Sequence, residues 1–232
     1  MGRVPLMGAG TAGSSPLHDS LISFWNLDEA SGTRNDSVGT NHLTDNNTVT
    51  QAVGKIAEAA QFTRANSEYL SIASNATLVT GDIDFTFAAW VYQDSSPGAG
   101  STYYIASKAP EWILLVENVG SRLDFYINDT LRVRADAFGA PPTATWYFVV
   151  VWHDATANTI NIQVNNGTVN SQATGATVPP TSTNPFYLGQ YGSGATFWDG
   201  RIDAVGFWKR VLTAAERTSL YNSGNGQQYP LS

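Results

Sequence analysis

Two segments constrain the fold of this chain more than any others: "FTFAAWVY", Phe85 to Tyr92, and "YFVVVWHD", Tyr147 to Asp154. Each is nearly apolar on both of the faces that strand alternation creates, which predicts a central strand between two layers. Around them run "LISFWNL" (Leu21 to Leu27), "RLDFYI" (Arg122 to Ile127), "TINIQV" (Thr159 to Val164) and "PFYLG" (Pro185 to Gly189), all of strand character. Turn residues punctuate the series, and the Asn-Gly step within "NNGT", Asn165 to Thr168, predicts a tight hairpin into "TVNSQA". About a dozen strands at this spacing predict a sandwich or barrel. One helix is marked, in "LTAAERTSLYNSGNG": Thr213 and Glu216 form a capping box and Gly224 supplies a left-handed stop. Leu212 and Leu220 then lie against the sheet and Arg217 faces water.

A chain of 232 residues accommodates one large all-β domain more readily than two small ones. Charged residues make up only 13%, about half the usual share, so Asn, Thr, Ser and Gly must cover the surface, as in many extracellular β-proteins. A net charge of −7 without a basic cluster argues against a nucleic-acid partner and against an anionic membrane surface. The longest apolar run, "WYFVVVW" from Trp146 to Trp152, falls far short of the roughly 20 residues a spanning helix needs, so no membrane insertion is predicted. Without cysteine, neither disulfides nor thiolate chemistry arise. Residues 1–20, rich in Gly, Ala, Ser and Pro, read as a flexible arm with the character of a poor secretion signal. Residues 21–232 form the folded domain.

The order "SFWNLDEASG", "DSVGTNHL", "GKIAEAAQF", "NSEYLSI", "FTFAAWVY", "TWYFVVVW", "INIQVNNG", "FYLGQ" and "GRIDAVGFWKRVLTAAERTSLYNSG" resembles the laminin-G-like, concanavalin A-like lectin-glucanase jelly-roll family across about residues 20 to 226. The resemblance implies an antiparallel β-sandwich jelly roll closed by one short C-terminal helix. It also implies kinship with lectins and carbohydrate-binding modules, which occur in secreted bacterial proteins and phage particles and usually lack catalysis.

The residues themselves offer little chemistry. Glycosidases of this general sandwich pair carboxylates as Glu-x-Asp-x-x-Glu, and none of Glu29, Glu58, Glu68, Glu111, Glu117 or Glu216 heads that pattern. Asp82 and Asp84 share a face in "GDIDF", where a turn explains them as well. His153-Asp154 has no activated serine to complete a triad and reads as a solvated turn. No nucleophile elbow or phosphate-binding loop is present. The chain is therefore expected not to be an enzyme.

Aromatic side chains are the remaining candidates, because a sugar face stacks on an exposed indole or phenol. Trp25, Trp90, Trp152 and Trp208 sit inside apolar strands and read as core. Tyr103, Tyr104, Trp112, Tyr191 and Trp198 lie in or beside "SSPGAGSTYY", "KAPEW" and "QYGSGATFW", and are the expected ligand-binding residues.

The strand "GRIDAVGFW", Gly200 to Trp208, carries a carboxylate at its centre. Strict alternation places Ile202, Ala204 and Trp208 on one face and Arg201, Asp203, Val205 and Phe207 on the other. The resemblance implies a structural calcium ion stapling the N-terminal strand to the last strand, with Asp203 and Asp28 as its carboxylates. The alternative is that Asp203 pairs with a neighbouring base or a turn N–H while Asp28 is solvated.

The expected function is non-catalytic, surface-exposed binding or adhesion, with a glycan or cell-surface polymer as partner. A phage virion decoration or fibre-type protein, docked to other virion proteins through residues 1–20, fits the arm. A free secreted carbohydrate-binding module fits the loop aromatics. A glycoside hydrolase or lyase fits least. The expected location is a virion surface or the extracellular space.

Overall fold

The structure, a computed structural model, describes residues 15–98, 100–192 and 196–232. Among the described residues, fifteen strands form two antiparallel sheets. The first sheet holds β1 (Leu21–Trp25), β3 (Thr50–Val53), β4 (Glu58–Phe62), β6 (Phe85–Gln93), β11 (Trp146–Asp154), β12 (Thr159–Val164), β13 (Asn170–Ala173) and β15 (Gly200–Trp208). The second holds β2 (Thr44–Asn46), β5 (Tyr69–Ile72), β7 (Tyr103–Lys108), β8 (Trp112–Glu117), β9 (Arg122–Ile127), β10 (Leu131–Arg134) and β14 (Phe186–Leu188). The first sheet runs β13-β12-β11-β6-β15-β4-β3, with β1 also on β15, and the second runs β10-β9-β8-β7-β14-β5-β2. The predicted sandwich is the observed one.

Trp25, Trp90, Trp152 and Trp208, expected to be core, are buried, and so are Phe87, Phe148, Val150 and Ile202 of the same strands. They belong to two separate clusters. Trp25, Phe87 and Ile202 lie between the sheets with Phe62, Phe85, Trp112, Phe125 and Phe186. Trp90, Phe148, Val150, Trp152 and Trp208 lie on the outer face of the first sheet, covered by Leu17, Leu212, Leu220 and Leu231. This second cluster explains why β6 and β11 are apolar on both faces. Each large side chain so buried contributes about 1.5–3 kcal/mol.

The cover over that outer face is the helix α1 (Ala214–Tyr221) together with both ends of the described chain. The capping box is present: the Glu216 N–H donates to Thr213 Oγ1 at 3.3 Å, and the Thr213 N–H donates to Glu216 Oε2 at 2.7 Å. The stop is Asn222, at φ 47°, two residues before the expected Gly224. Arg217 does not face water. Its guanidinium lies 4.3 Å from the Trp152 ring centroid and donates to Gln163 Oε1 at 2.8 Å, so a cation–π contact and a buried acceptor replace its hydration.

Part of the expected arm belongs to the domain. Pro16–His18 forms a short 3-10 turn, Leu17 is buried, and the Leu17 carbonyl accepts from Trp208 Nε1 at 2.8 Å. Arg210 donates to the carbonyls of Pro16 and Asp19, both at 2.7 Å. Residues 1–14, the remainder of the segment expected to dock to other virion proteins, lie outside the described residues.

Two local expectations shift by a residue. The hairpin after β12 turns on Asn165 and Asn166, at φ 50° and 53°, with the Gly167 N–H closing on the Val164 carbonyl. Asparagine tolerates that region nearly as well as glycine, so Asn-Asn competes with Asn-Gly. In β15 the register shifts between Asp203 and Gly206, and Ala204 takes φ 47°. Strict alternation therefore breaks: Ile202 joins Val205 and Phe207 between the sheets, while Ala204 and Trp208 face α1. A β-bulge is the physical reason, since one extra residue reverses every facing after it.

Candidate functional site

Among the described residues, the outer face of the second sheet stays partly exposed. Alternation sends Trp112, Leu114 and Val116 of β8 inward and leaves Ile113, Leu115 and Glu117 outward. On β9, Leu123, Phe125 and Ile127 point in, so Tyr126 points out opposite Ile113. On β7 a bulge between Tyr104 and Ala106 puts both Ile105 and Ala106 into the core and leaves Tyr104 outside, opposite Leu115. Tyr187 of β14 and Tyr69 of β5 extend the row, with ring centroids 5.8 Å apart.

Tyr191 completes the centre of this face. Gly189, at φ 84°, bends the chain after β14, where a β-carbon would stand 2.7 Å from the Phe62 ring. The Ser107 hydroxyl donates to the Gln190 carbonyl at 2.8 Å. The bend lays Tyr191 over Tyr104, stacked at 4.9 Å and 25°. A cleft of about 220 Å³ opens on one side, lined by Thr102, Tyr104, Ile113, Leu115, Glu117, Tyr126, Asp129 and Tyr191. On the other side a cleft of about 320 Å³ is lined by Ala109, Asn184, Pro185, Tyr187, Tyr191 and Gly192. Tyr191 is common to both.

Burial is the main force raising the phenol pKa values of Tyr104 and Tyr191, and the Asp129 charge adds to it. Both rings therefore stay neutral donors. Asp129 sits in the β9–β10 turn, where Asn128 and Asp129 take φ 51° and 55° and the Thr130 N–H closes on the Ile127 carbonyl at 3.2 Å. Partial desolvation pushes its carboxyl upward, opposed by a hydrogen bond from the Tyr191 hydroxyl at 3.4 Å. The neighbouring charges are paired among themselves: Arg134 with Glu117 and Asp124 at 2.6 and 2.9 Å, Arg132 with Asp124 at 3.2 Å.

Of the five expected ligand-binding residues, the structure brings Tyr104 and Tyr191 together on the open face. The other three are core. Trp112, 1% exposed, packs against Phe85, Phe87 and Phe207, and Trp198 is fully buried. Tyr103, 5% exposed, alternates inward, with the Arg64 guanidinium 5.1 Å from its ring. Their position beside polar loops suggested exposure, but strand alternation governs where their side chains go. Tyr126 and Asp129 were missed, although the alternation in "RLDFYI" and the two turn-prone residues after it carried the signal.

Asp203 occupies the seam of the first sheet. Before the bulge β15 pairs with β4 through Gly200 to Ile202, and after it with β1 through Val205 to Trp208. The β3–β4 turn inserts there, and Asp203 Oδ2 accepts the N–H groups of Lys55 and Ile56 at 2.7 and 2.8 Å. A β-carbon on Gly54 would stand 2.7 Å from that oxygen, so glycine lets the turn approach. Burial raises the Asp203 pKa to about 7, the two N–H groups oppose the rise, and the Asp28 charge adds to it.

The donors here fit a calcium ion poorly. Asp28 Oδ1 accepts the Glu58 N–H at 3.1 Å, and Gln228 Nε2 reaches both Asp28 oxygens at 3.0 and 2.9 Å. Of the four carboxylate oxygens of Asp28 and Asp203, Asp203 Oδ1 is the one buried without a partner among the described residues. Calcium takes six to eight oxygens, and among the described residues no three or more His, Cys, Asp or Glu side chains gather for a metal.

The other candidates for chemistry are structural. His153 is buried rather than solvated: Nδ1 contacts the Ile83 carbonyl at 2.9 Å and Nε2 lies 3.8 Å from Asp82. Asp84 accepts the Ala155 N–H at 2.8 Å.

A family model described as the concanavalin A-like lectin/glucanases superfamily matches residues 64–216. No curated protein sequence matches the chain. Among solved structures, the binding domain of Paraclostridial Mosquitocidal Protein 1 is similar at TM-score 0.73 and 14% identity, over 90% of this chain and 53% of that one. Domain 4 of AbnA, an extracellular arabinanase of Geobacillus stearothermophilus solved with arabinotriose, is similar at TM-score 0.63 and 18% identity, over 90% of this chain and 98% of that one. A Trypanosoma rangeli sialidase is similar at TM-score 0.66 and 15% identity, over 97% and 37%. The chain thus spans about half of the first of these and about a third of the last.

Proposed function

The chain belongs to the concanavalin A-like lectin/glucanases superfamily, and from that premise we propose that it is a non-catalytic binding domain that holds a glycan on the open face of its second sheet. The observation that carries this reading is the stacked Tyr104–Tyr191 pair between two clefts. Paired phenol rings beside concave, partly apolar walls offer stacking surfaces to sugar C–H groups and hydroxyls to their oxygens. Similar chains solved as the binding domain of Paraclostridial Mosquitocidal Protein 1 and as an arabinanase domain with arabinotriose support the binding reading.

Absence of catalysis is supported by the carboxylates of the face. Glycoside hydrolysis usually takes two carboxylates flanking the bond, and of the two that line this cleft Glu117 is engaged by Arg134 at 2.6 Å and Asp129 by the Tyr191 hydroxyl at 3.4 Å. The same reading places the domain where a polymer is at hand, on a virion surface or outside the cell, and immunodetection in particle and culture-fluid fractions decides between these.

The functional test is a glycan array followed by calorimetry with the best hit. Wild type is expected to bind and Tyr191→Ala to lose binding with its fold intact. Unaltered binding by Tyr191→Ala would move the site elsewhere.

A further inference from the structure

The cleft beside Tyr104 has a chemistry more specific than stacking. Three phenol rings, Tyr104, Tyr126 and Tyr191, wall a space floored by Ile113 and Leu115, and Asp129 stands at its rim. The charges around it can be accounted for one by one. Arg132 and Arg134 carry two positive charges, and Asp124 and Glu117 answer them with two negative ones. Arg132 also donates to the Tyr126 hydroxyl at 3.2 Å. Asp129 is left over. Among the described residues it takes part in no ion pair, and its hydrogen bond comes from the neutral Tyr191 hydroxyl.

We propose that this cleft selects a sugar bearing a protonated amine, a hexosamine unit of a glycan, over its neutral or acidic counterparts. The inference rests on the glycan-binding reading and names the ligand class of that site. An ammonium group within about 6 Å of an aromatic face is attracted by the ring quadrupole, and three phenol rings line this cleft. Asp129 supplies a counter-charge that no cation of the described residues claims. An acidic sugar would instead bring its carboxylate against Asp129, with both arginines already engaged. Partial desolvation of Asp129 supports the assignment, because an arriving cation would relieve it.

The experiment compares fully deacetylated glucosamine tetramer, its N-acetylated counterpart and a neutral glucose tetramer by calorimetry, in mildly acidic, low-salt buffer. The amine oligomer is expected to bind tighter than the other two by roughly five- to tenfold, the scale of one exposed charge pair plus cation–π contacts. Raising the salt should narrow the gap. Asp129→Asn keeps the shape and suits the positive φ of that turn, so it is expected to fold normally and to abolish the preference while retaining binding of the acetylated oligomer. Tyr191→Ala should lose all three ligands. Equal affinity for all three oligomers in the wild type, or a preference that survives Asp129→Asn, overturns the hexosamine assignment and leaves the glycan-binding reading standing. Failure of every oligomer and every array glycan to bind, or full binding by Tyr191→Ala, removes the site itself and the assignment with it.

Discussion

The outer faces of the two sheets are built to opposite ends. On the first sheet, Trp90, Phe148, Trp152 and Trp208 are roofed by α1 and by both ends of the described chain. On the second sheet, Tyr104, Tyr126, Tyr187 and Tyr191 are only half-buried, with Tyr191 stacked on Tyr104. Both faces are aromatic, so composition does not separate them. The roofed face uses indole and phenyl rings, which gain most from complete removal of water. The open face uses phenols, whose hydroxyls keep a use for solvent or a ligand. Large apolar rings mark what the fold must hide, and tyrosines beside one lone carboxylate mark what it presents.

Substitutions on the roofed face should break this contrast most visibly. Trp152→Ala removes a ring packed under Arg217 and is expected to cost about 3–5 kcal/mol of stability, read by denaturant unfolding. At temperatures where that variant is still folded, its glycan affinity should match wild type. Lost affinity in the folded variant would mean the two faces are coupled.

Tyr191→Ala is the reciprocal test. Its unfolding free energy should change by about 1 kcal/mol or less, while its affinity should fall by about thirtyfold, the effect of losing a 2 kcal/mol anchor. A large stability loss with little change in affinity would make the open face structural.

The seam at Asp203 gives a third, smaller effect. Asp203→Ala strands the Lys55 and Ile56 N–H groups and should cost about 2 kcal/mol. Asp203→Asn keeps an acceptor for them without burying a charge. The folded pKa of about 7 lies well above the ordinary aspartate value of 3.8. Between those values the folded state keeps a proton that the unfolded chain releases, so stability from this group is greatest below about pH 4 and declines as pH rises through 7. Asp203→Asn should flatten that decline and equal or exceed wild type in mild alkali. An unchanged pH slope would mean that Asp203 titrates normally.

Smaller still is the response at Glu216. Arg210, held at 2.7 Å, depresses its pKa to about 2. Its contribution is therefore full above the ordinary carboxylate range and fades as pH falls toward 2, so Glu216→Gln should soften the acid limb of the stability profile slightly. Chelator is expected to leave the melting temperature unchanged, because N–H donors already occupy three of the four carboxylate oxygens of Asp28 and Asp203. A fall on chelation, restored by calcium, would reinstate the ion at Asp28 and Asp203.

Much of the fold was legible because burial writes a period into the chain. The doubly apolar β6 and β11 announced a sheet covered on both sides, and Thr213 and Glu216 announced the start of the helix that covers it. The site was legible only in part. Tyr104 and Tyr191 stood out as aromatics in polar stretches, but Trp112, Tyr103 and Trp198 stood out in the same way and proved to be core. Loop neighbourhood alone does not report side-chain direction, and the bulge at Ile105 decides which of two adjacent tyrosines faces out. A bulge leaves little trace in sequence, because its cost is met by partners distant in the chain.

By itself, then, the sequence determined the layers: which segments are strands, which of them are central, and that the chain carries no cysteine chemistry and little charge to spend. Those properties are local, set by the alternation and capping of neighbouring residues. Only the tertiary structure decided which aromatics meet. Tyr104 and Tyr191 stack across 87 positions of sequence because Gly189 bends the chain over β7, and Asp129 joins them from a turn between β9 and β10. Asp203 likewise owes its state to a turn 147 residues away. Such contacts depend on register, bulges and desolvation, which arise only when distant segments pack.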